Sequence, residues 1–135
     1  MTDSTRPLPT ITIDSEPYWA STREHAMRIQ RCDGCGLWRF YPTPVCPACA
    51  NPEASWERVV GTGHVYSFTE VHKPAAPAFA AEQPVVLLLV TLAEGPTMMG
   101  NLIGPRDDLH IGMEVTLDYT DLTDTITLPG FRAAV

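Results

Sequence analysis

Four cysteines fall in two pairs, Cys32/Cys35 and Cys46/Cys49, each with Cys-x-x-Cys spacing and about ten residues between the pairs. A Cys-x-x-Cys turn offers two thiolates to one ion while backbone N–H groups behind it support the sulfur charge. Two such turns facing each other complete a tetrahedron, the geometry of structural zinc. Gly34, Gly36 and Pro47 supply what tight turns need. All four ligands are thiolates, which leaves no open position for water or substrate, so the pattern predicts a structural ion and not a catalytic one. Zinc held this way contributes on the order of 10–16 kcal/mol of binding energy to folding. Iron held by four thiolates at the same spacing is the rival metal. Disulfides, a redox pair and unbound core cysteines compete with metal. A reducing compartment opposes disulfides, and no βαβ pattern surrounds either pair as a thioredoxin-like site would require.

Other chemistry has thinner support. His25, His64, His72 and His110 are scattered, and none stands in a motif with a nucleophile or carboxylate; they read as surface residues under a geometry-first standard for catalytic bases. Ser67 and Thr69 alternate with Tyr66 and Phe68 and lack the context of a nucleophile elbow. Between the cysteine pairs lie Trp38, Arg39, Phe40 and Tyr41. They either pack against the strands that follow or contribute to a binding surface, since aromatics and Arg dominate binding hot spots. Phe131 and Arg132 either plug the end of the barrel or form a docking tail, and Phe79 lies in the long connection His72–Pro84, a length typical of binding elements or flexible segments.

The elements that must position these residues are short. An extended polar arm covers residues 1–13, and a helix is predicted from Ser15 to His25, with Asp14 or Ser15 as cap, Pro17 in the first turn and Trp19, Thr22 and Ala26 on one stripe. Met27–Arg31 alternates as a short strand into Cys32. Val65–Val71 is a strand with Tyr66 and Phe68 on one face, and Val85–Leu92 is apolar enough to read as a doubly buried central strand. Thr97–Ile103 follows a turn. Glu114–Tyr119 places Val115, Leu117 and Tyr119 inward, and Ile126 with Leu128 starts a last strand before Pro129. Four or five such strands suit a small closed barrel.

Bulk properties narrow the partners. The chain has 135 residues, 44% apolar and 19% charged, which suits one domain with a real core. Nine Lys and Arg against sixteen Asp and Glu leave a net charge of −7, a poor balance for neutralising phosphates. The longest apolar run, Val85–Val90, falls far short of the roughly 20 residues of a spanning helix. The N-terminus lacks the basic and apolar regions of a signal peptide, so a cytoplasmic location is predicted.

Several motifs in order carry a family resemblance. Tyr18-Trp19, then Ile29-Gln30-Arg31-Cys32-x-x-Cys35-Gly36, then Phe40-Tyr41-Pro42 before Cys46-Pro47-x-Cys49, resemble a rubredoxin-like zinc ribbon. Trp56, Gly61-x-Gly63-x-Val65-Tyr66-Ser67-Phe68-Thr69, Ile111-Gly112-x-x-Val115 and Pro129-x-Phe131-Arg132 resemble the oligonucleotide/oligosaccharide-binding (OB) barrel that follows it. Together they are similar to the zinc-ribbon OB-fold, acyl-CoA-associated proteins of domain of unknown function thirty-five, from about Pro17 to Arg132. The chain departs from that pattern at His25-Ala26-Met27, where relatives often carry a glycine.

That resemblance implies a mainly β fold: residues 1–26 as arm and helix, 27–55 as the four-cysteine ribbon, and 56–135 as a small antiparallel OB barrel, in one compact unit. It implies a non-catalytic accessory subunit of a thiolase-like acyl-CoA enzyme in a hetero-oligomer, with Trp38, Arg39, Phe40, Tyr41, Phe79, Phe131 and Arg132 as its candidate partner or acyl-CoA surface. In actinobacterial steroid and lipid breakdown, such modules join a thiolase-fold aldolase that cleaves a steroid acyl-CoA side chain; in archaea, similar proteins bridge a thiolase and a hydroxymethylglutaryl-CoA synthase. Some relatives are fused to a hotdog-fold hydratase, for which this length leaves no room, so such a hydratase would be a separate chain. The alternatives are a single-strand nucleic-acid-binding OB module, against which the acidic balance speaks, and a redox or hydrolytic metalloenzyme.

Overall fold

A computed structural model describes residues 7–73 and 85–134. The one helix among these residues, α1 (Glu16–Arg23), follows Ser15, carries Pro17 in its first turn, and has Glu16 and Arg23 at the ends where a helix dipole favours them. Ser15 occupies the cap position but does not cap. Its hydroxyl instead accepts the Thr12 N–H at 2.9 Å and ties the arm to the helix start. The helix buries Tyr18 and Trp19 as well as Ser21 and Thr22.

Beyond α1, the left-handed φ of 56° at His25 turns the chain into the first strand. This is the stretch where the family resemblance suggested a glycine, and the backbone there takes a conformation glycine adopts most easily. The ribbon sheet has the order β2-β1-β3, from β1 (Arg28–Cys32), β2 (Trp38–Arg39) and β3 (Ala54–Arg58), all antiparallel.

Five strands form the second sheet, in the order β6-β5-β4-β7-β8. They are β4 (Thr62–Val71), β5 (Val85–Leu92), β6 (Thr97–Asn101), β7 (Glu114–Asp121) and β8 (Thr127–Ala133). A bridge between Leu102 and Phe131 brings the two edges together, with the Ile103 N–H donating to the Phe131 carbonyl at 2.7 Å. The result is a nearly closed antiparallel barrel of the OB type. One apolar core runs from Tyr18, Trp19, Met27 and Ile29 into Val65, Leu88, Val90, Val115 and Phe131. Helix, ribbon and barrel therefore share their buried surface.

Three strand readings change. β5 is not buried on both faces: Val86, Leu88, Val90 and Leu92 are buried, while the residues between them are half-buried. It packs on the core through one face and lends the other to a shallow surface. Tyr66 and Phe68 do not share a face, because the β4–β5 register shifts between Val65 and Ser67. That bulge at Tyr66 inserts one residue and inverts the alternation, so that Phe68 pairs with the fully buried Leu88, although Phe68 itself, near the strand end, stays exposed. Finally, the last strand does not stop before Pro129 but runs through it to Ala133. β8 lies at the edge of the sheet order, where a residue without an N–H is tolerated.

Candidate metal centre and aromatic cleft

Each Cys-x-x-Cys pair forms a knuckle of the same design. The residue after the second cysteine takes a left-handed φ, 77° at Gly36 and 64° at Ala50. Its N–H then reaches back to the carbonyl of the first cysteine, Gly36 to Cys32 at 3.0 Å and Ala50 to Cys46 at 2.8 Å. The turn aims further N–H groups at sulfur. Gly34 and Cys35 approach the Cys32 Sγ at 3.4 Å, and Ala48 approaches the Cys46 Sγ at 3.4 Å.

The two knuckles bring all four Sγ atoms within 4.8 Å of one another. The Cys32–Cys49 separation is 3.5 Å and the Cys35–Cys46 separation 3.7 Å. A regular tetrahedron of sulfurs around an ion at about 2.3 Å has edges of about 3.8 Å. The cysteines therefore fit one tetrahedral ion.

Their acidities describe the same preparation. The Cys32 thiol is lowered to about 6, first by the Cys35 N–H, with the Gly34 N–H and neighbouring sulfurs adding to it against the cost of burial. Cys46 is lowered chiefly by the Cys49 N–H and then by that of Ala48, again against burial. At Cys49 the Asn51 N–H pulls downward, but the sulfurs of Cys32, Cys35 and Cys46 together with burial raise it to about 11. Four sulfurs this close cannot all carry charge alone. A bound cation removes that conflict by deprotonating its ligands outright.

A second feature lies between the helix–ribbon side and the seam where β6 meets β8. Tyr18 makes edge contacts with Trp19, Phe40 and Tyr41 at centroid distances of 4.9, 5.5 and 5.8 Å. These four rings form one wall of a cleft of about 460 Å³ whose other wall includes Leu87, Met99, Leu102 and Leu128. None of its lining residues is Asp, Glu, Lys, Arg or His. Tyr41 at 46% exposure and Met99 at 59% mark its rim.

The structure separates the residues that the sequence grouped as a partner or acyl-CoA surface. Phe40 and Tyr41 join the cleft. Trp38 lies outside it, half-buried against the core, with Arg31 stacked over its ring at 5.2 Å. Arg39 is only 5% exposed and is a ribbon interior residue, because its guanidinium is taken up by Gln30 and Thr43. Phe131 is fully buried as the plug of the barrel, not a docking side chain. Arg132 is at the surface but engaged with Asp118, at 2.9 Å through Nε and 2.7 Å through Nη2. Phe79 falls outside the described residues. Sequence reasoning missed Leu87 and Met99 as cleft residues. It also missed buried Gln30, a polar residue between apolar Ile29 and Cys32 that asks for partners.

The histidines form no catalytic set among the described residues. His25 Nε2 lies 3.0 Å from the Asp121 carboxylate, with its ring stacked on Tyr119 at 4.7 Å, closing the helix end onto β7. His72 lies 3.4 Å from Glu70, His110 contacts the Asp108 carbonyl, and His64 is exposed on β4. Among the described residues, no helix is long and apolar enough to cross a membrane.

Comparison with known proteins places this geometry. Residues 19–53 match a family described as the ChsH2 rubredoxin-like zinc ribbon domain, and residues 56–120 one described as the ChsH2 C-terminal OB-fold domain. A solved structure titled Ltp2-ChsH2(DUF35) aldolase contains a chain 39% identical, with a TM-score of 0.86, covering 95% of this chain and 100% of that one. A protein of the DUF35 family from Sulfolobus solfataricus, of unknown function, shares the fold at a TM-score of 0.63 and 13% identity, over 90% of this chain and 86% of that one. Two curated relatives are hydratase subunits by name. A probable enoyl-CoA hydratase alpha subunit of Thermomonospora curvata is 40% identical over 96% of this chain. The 3-oxo-4,17-pregnadiene-20-carboxyl-CoA hydratase alpha subunit of Mycobacterium tuberculosis is 32% identical over 86% of it. The chain spans 40% and 37% of the lengths of those two relatives.

Proposed function

Because this chain belongs to the ChsH2 (DUF35) family, which joins a rubredoxin-like zinc ribbon to an OB-fold domain, we propose that it is a non-catalytic accessory subunit of a thiolase-like acyl-CoA enzyme. The enzyme is an aldolase acting on a steroid-type acyl-CoA side chain, and the four cysteines hold structural zinc. The observation that carries this reading is the likeness, over the whole of the solved chain, to a component of an aldolase assembly. The site chemistry agrees. A centre of four thiolates has no position for substrate, and among the described residues no nucleophile–base pair stands in the aromatic cleft.

In this reading the cleft is the working surface. Its uncharged aromatic lining suits apolar side chains of the partner or the hydrocarbon part of the acyl group, and aromatic anchors of this kind dominate binding energy. The names of the curated relatives favour a second role in a hydratase assembly, which a separate hotdog-fold chain would complete. The acidic chain is not a nucleic-acid module on this reading.

The test is co-expression with the thiolase-like protein of the same host, followed by size-exclusion chromatography and acyl-CoA turnover assays. We expect a stoichiometric complex and carbon–carbon cleavage only when both chains are present. Tyr41→Ala and Met99→Lys should each weaken the complex by about tenfold or more while leaving the chain folded. Turnover by this chain alone at a rate indifferent to the partner would overturn the reading. Hydration of an enoyl-CoA, only on adding a hotdog-fold chain, would favour the hydratase role.

A further inference from the structure

Gln30 lies in the middle of β1 at 8% exposure. A buried carboxamide costs free energy unless both its donor and its acceptor are paired. Both are paired with the backbone of one residue, Thr43. Gln30 Oε1 accepts the Thr43 N–H at 2.9 Å, and Gln30 Nε2 donates to the Thr43 carbonyl at 3.1 Å. Arg39, directly opposite Gln30 on β2, donates through Nε to Gln30 Oε1 at 3.1 Å and through Nη2 to the Thr43 carbonyl at 3.4 Å. Two side chains thus hold the backbone of Thr43 as an added strand would.

What they hold is the approach to the second knuckle. Thr43 stands three residues before Cys46, and its hydroxyl donates to the Val45 carbonyl at 2.9 Å, next to the ligand. Arg39 adds a second observation. It is 5% exposed, its Nη1 has no hydrogen-bond partner, and it forms no ion pair among the described residues. A buried guanidinium without a counter-charge is costly. The charge that can offset it lies on the same sheet face. Gln30 and Cys32 are two residues apart on one strand and so share a face, and Arg39 pairs with Gln30. Four thiolates around a divalent ion carry a net double negative charge.

We propose that Gln30 and Arg39 are positioning residues of the metal centre. By clamping the Thr43 backbone they set the place of Cys46 before the ion binds, and Arg39 supplies a buried positive charge to the thiolate cluster. Supporting side chains behind metal ligands typically change affinity by about 10–100-fold when removed, and the clamp belongs in that range.

The experiment loads the full chain with zinc and follows transfer of the ion to a chromophoric chelator. Arg39→Met and Gln30→Leu should raise both the dissociation constant and the release rate by about 10–100-fold. Arg39→Lys, which keeps the charge without the planar fork, should recover part of the loss. Val90→Ala, a cavity in the barrel core, should lower thermal stability and leave release unchanged. If Arg39→Met and Gln30→Leu hold zinc within about twofold of the parent, or if Val90→Ala loses the ion as readily as they do, the proposal fails. Should either variant not fold, Arg39→Lys and Gln30→Glu decide in the same assay, with affinity matching the parent counting against it.

Discussion

Gly100 on β6 lies so close to Phe131 on β8 that a Cβ added to it would stand 3.0 Å from both Cδ2 and Cε2 of the ring. Next to that ring, a Cβ on Gly130 would meet Ile103 Cδ1 at 2.8 Å. The two glycines let the edge strands of the barrel approach until Phe131 plugs the interior and the Leu102–Phe131 bridge forms. Gly100→Ala forces the ring or the strand to move in a packed core, at a cost of roughly 1–3 kcal/mol. Urea unfolding should show a lower midpoint at unchanged slope. A midpoint equal to the parent's would mean the ring yields freely, against its complete burial.

Removing the metal should undo the ribbon before the barrel. Between Cys32 and Glu53 only the partly buried Trp38 and Phe40 pack against the shared core, whereas β4, β5 and β7 carry the fully buried Val65, Leu88, Val90 and Val115. A structural ion supplies on the order of 10–16 kcal/mol to small domains that lack such a core. Chelation, or Cys46→Ser, should therefore abolish amide protection through the knuckles while the centre of the barrel sheet keeps its own. One ion per chain is the expected stoichiometry, by metal analysis. Simultaneous loss of protection in both sheets would show that they unfold as one unit.

Much of this was legible in the sequence for identifiable reasons. Cysteine spacing survives any tertiary context, because a tetrahedral ion tolerates few arrangements, and the four residues named by spacing are the four that converge. Helix and strand positions followed from Pro17 and from apolar runs such as Val85–Leu92. What failed depended on one residue's worth of register or on long-range pairing. The bulge at Tyr66 leaves no mark in composition, yet it inverts the faces beyond it. Arg39 carries the chemistry of an interface residue, and only the partners that Gln30 and Thr43 provide turn it inward. The cleft was invisible for a similar reason. Tyr18 and Tyr41 come to line one cleft with Met99 only in the folded chain, and nothing in their sequence separation announces it.

Ala50 offers a gain in stability. It takes φ 64° after Cys49, the place that Gly36 fills after Cys35. A left-handed conformation costs a residue with a Cβ roughly 1 kcal/mol, and glycine removes that cost at the expense of some unfolded-state entropy. Ala50→Gly should raise stability by about 0.5–1 kcal/mol without altering metal stoichiometry. A loss of stability on this change would mean that the methyl group makes contacts worth more than the strain.

Acid should loosen β7 first. The Arg132 guanidinium, followed by the Tyr119 N–H, holds the Asp118 carboxyl below its usual range, while His25 and then the Thr127 hydroxyl lower that of Asp121. A carboxylate whose folded pKa lies below its unfolded value near 3.9 stabilises the fold above that value. The contribution fades as pH falls through the folded pKa. The Asp118–Arg132 pair is well exposed, so solvent limits it to about 0.2–1 kcal/mol. At pH 7 Asp118→Asn should be less stable than the parent by that amount, and Asp121→Asn should shift in the same direction. Both differences should shrink once the pH falls below about 4 and the native carboxyls protonate. A deficit for Asp118→Asn that stays constant down to about pH 2 would show that its effect does not come from the carboxylate charge.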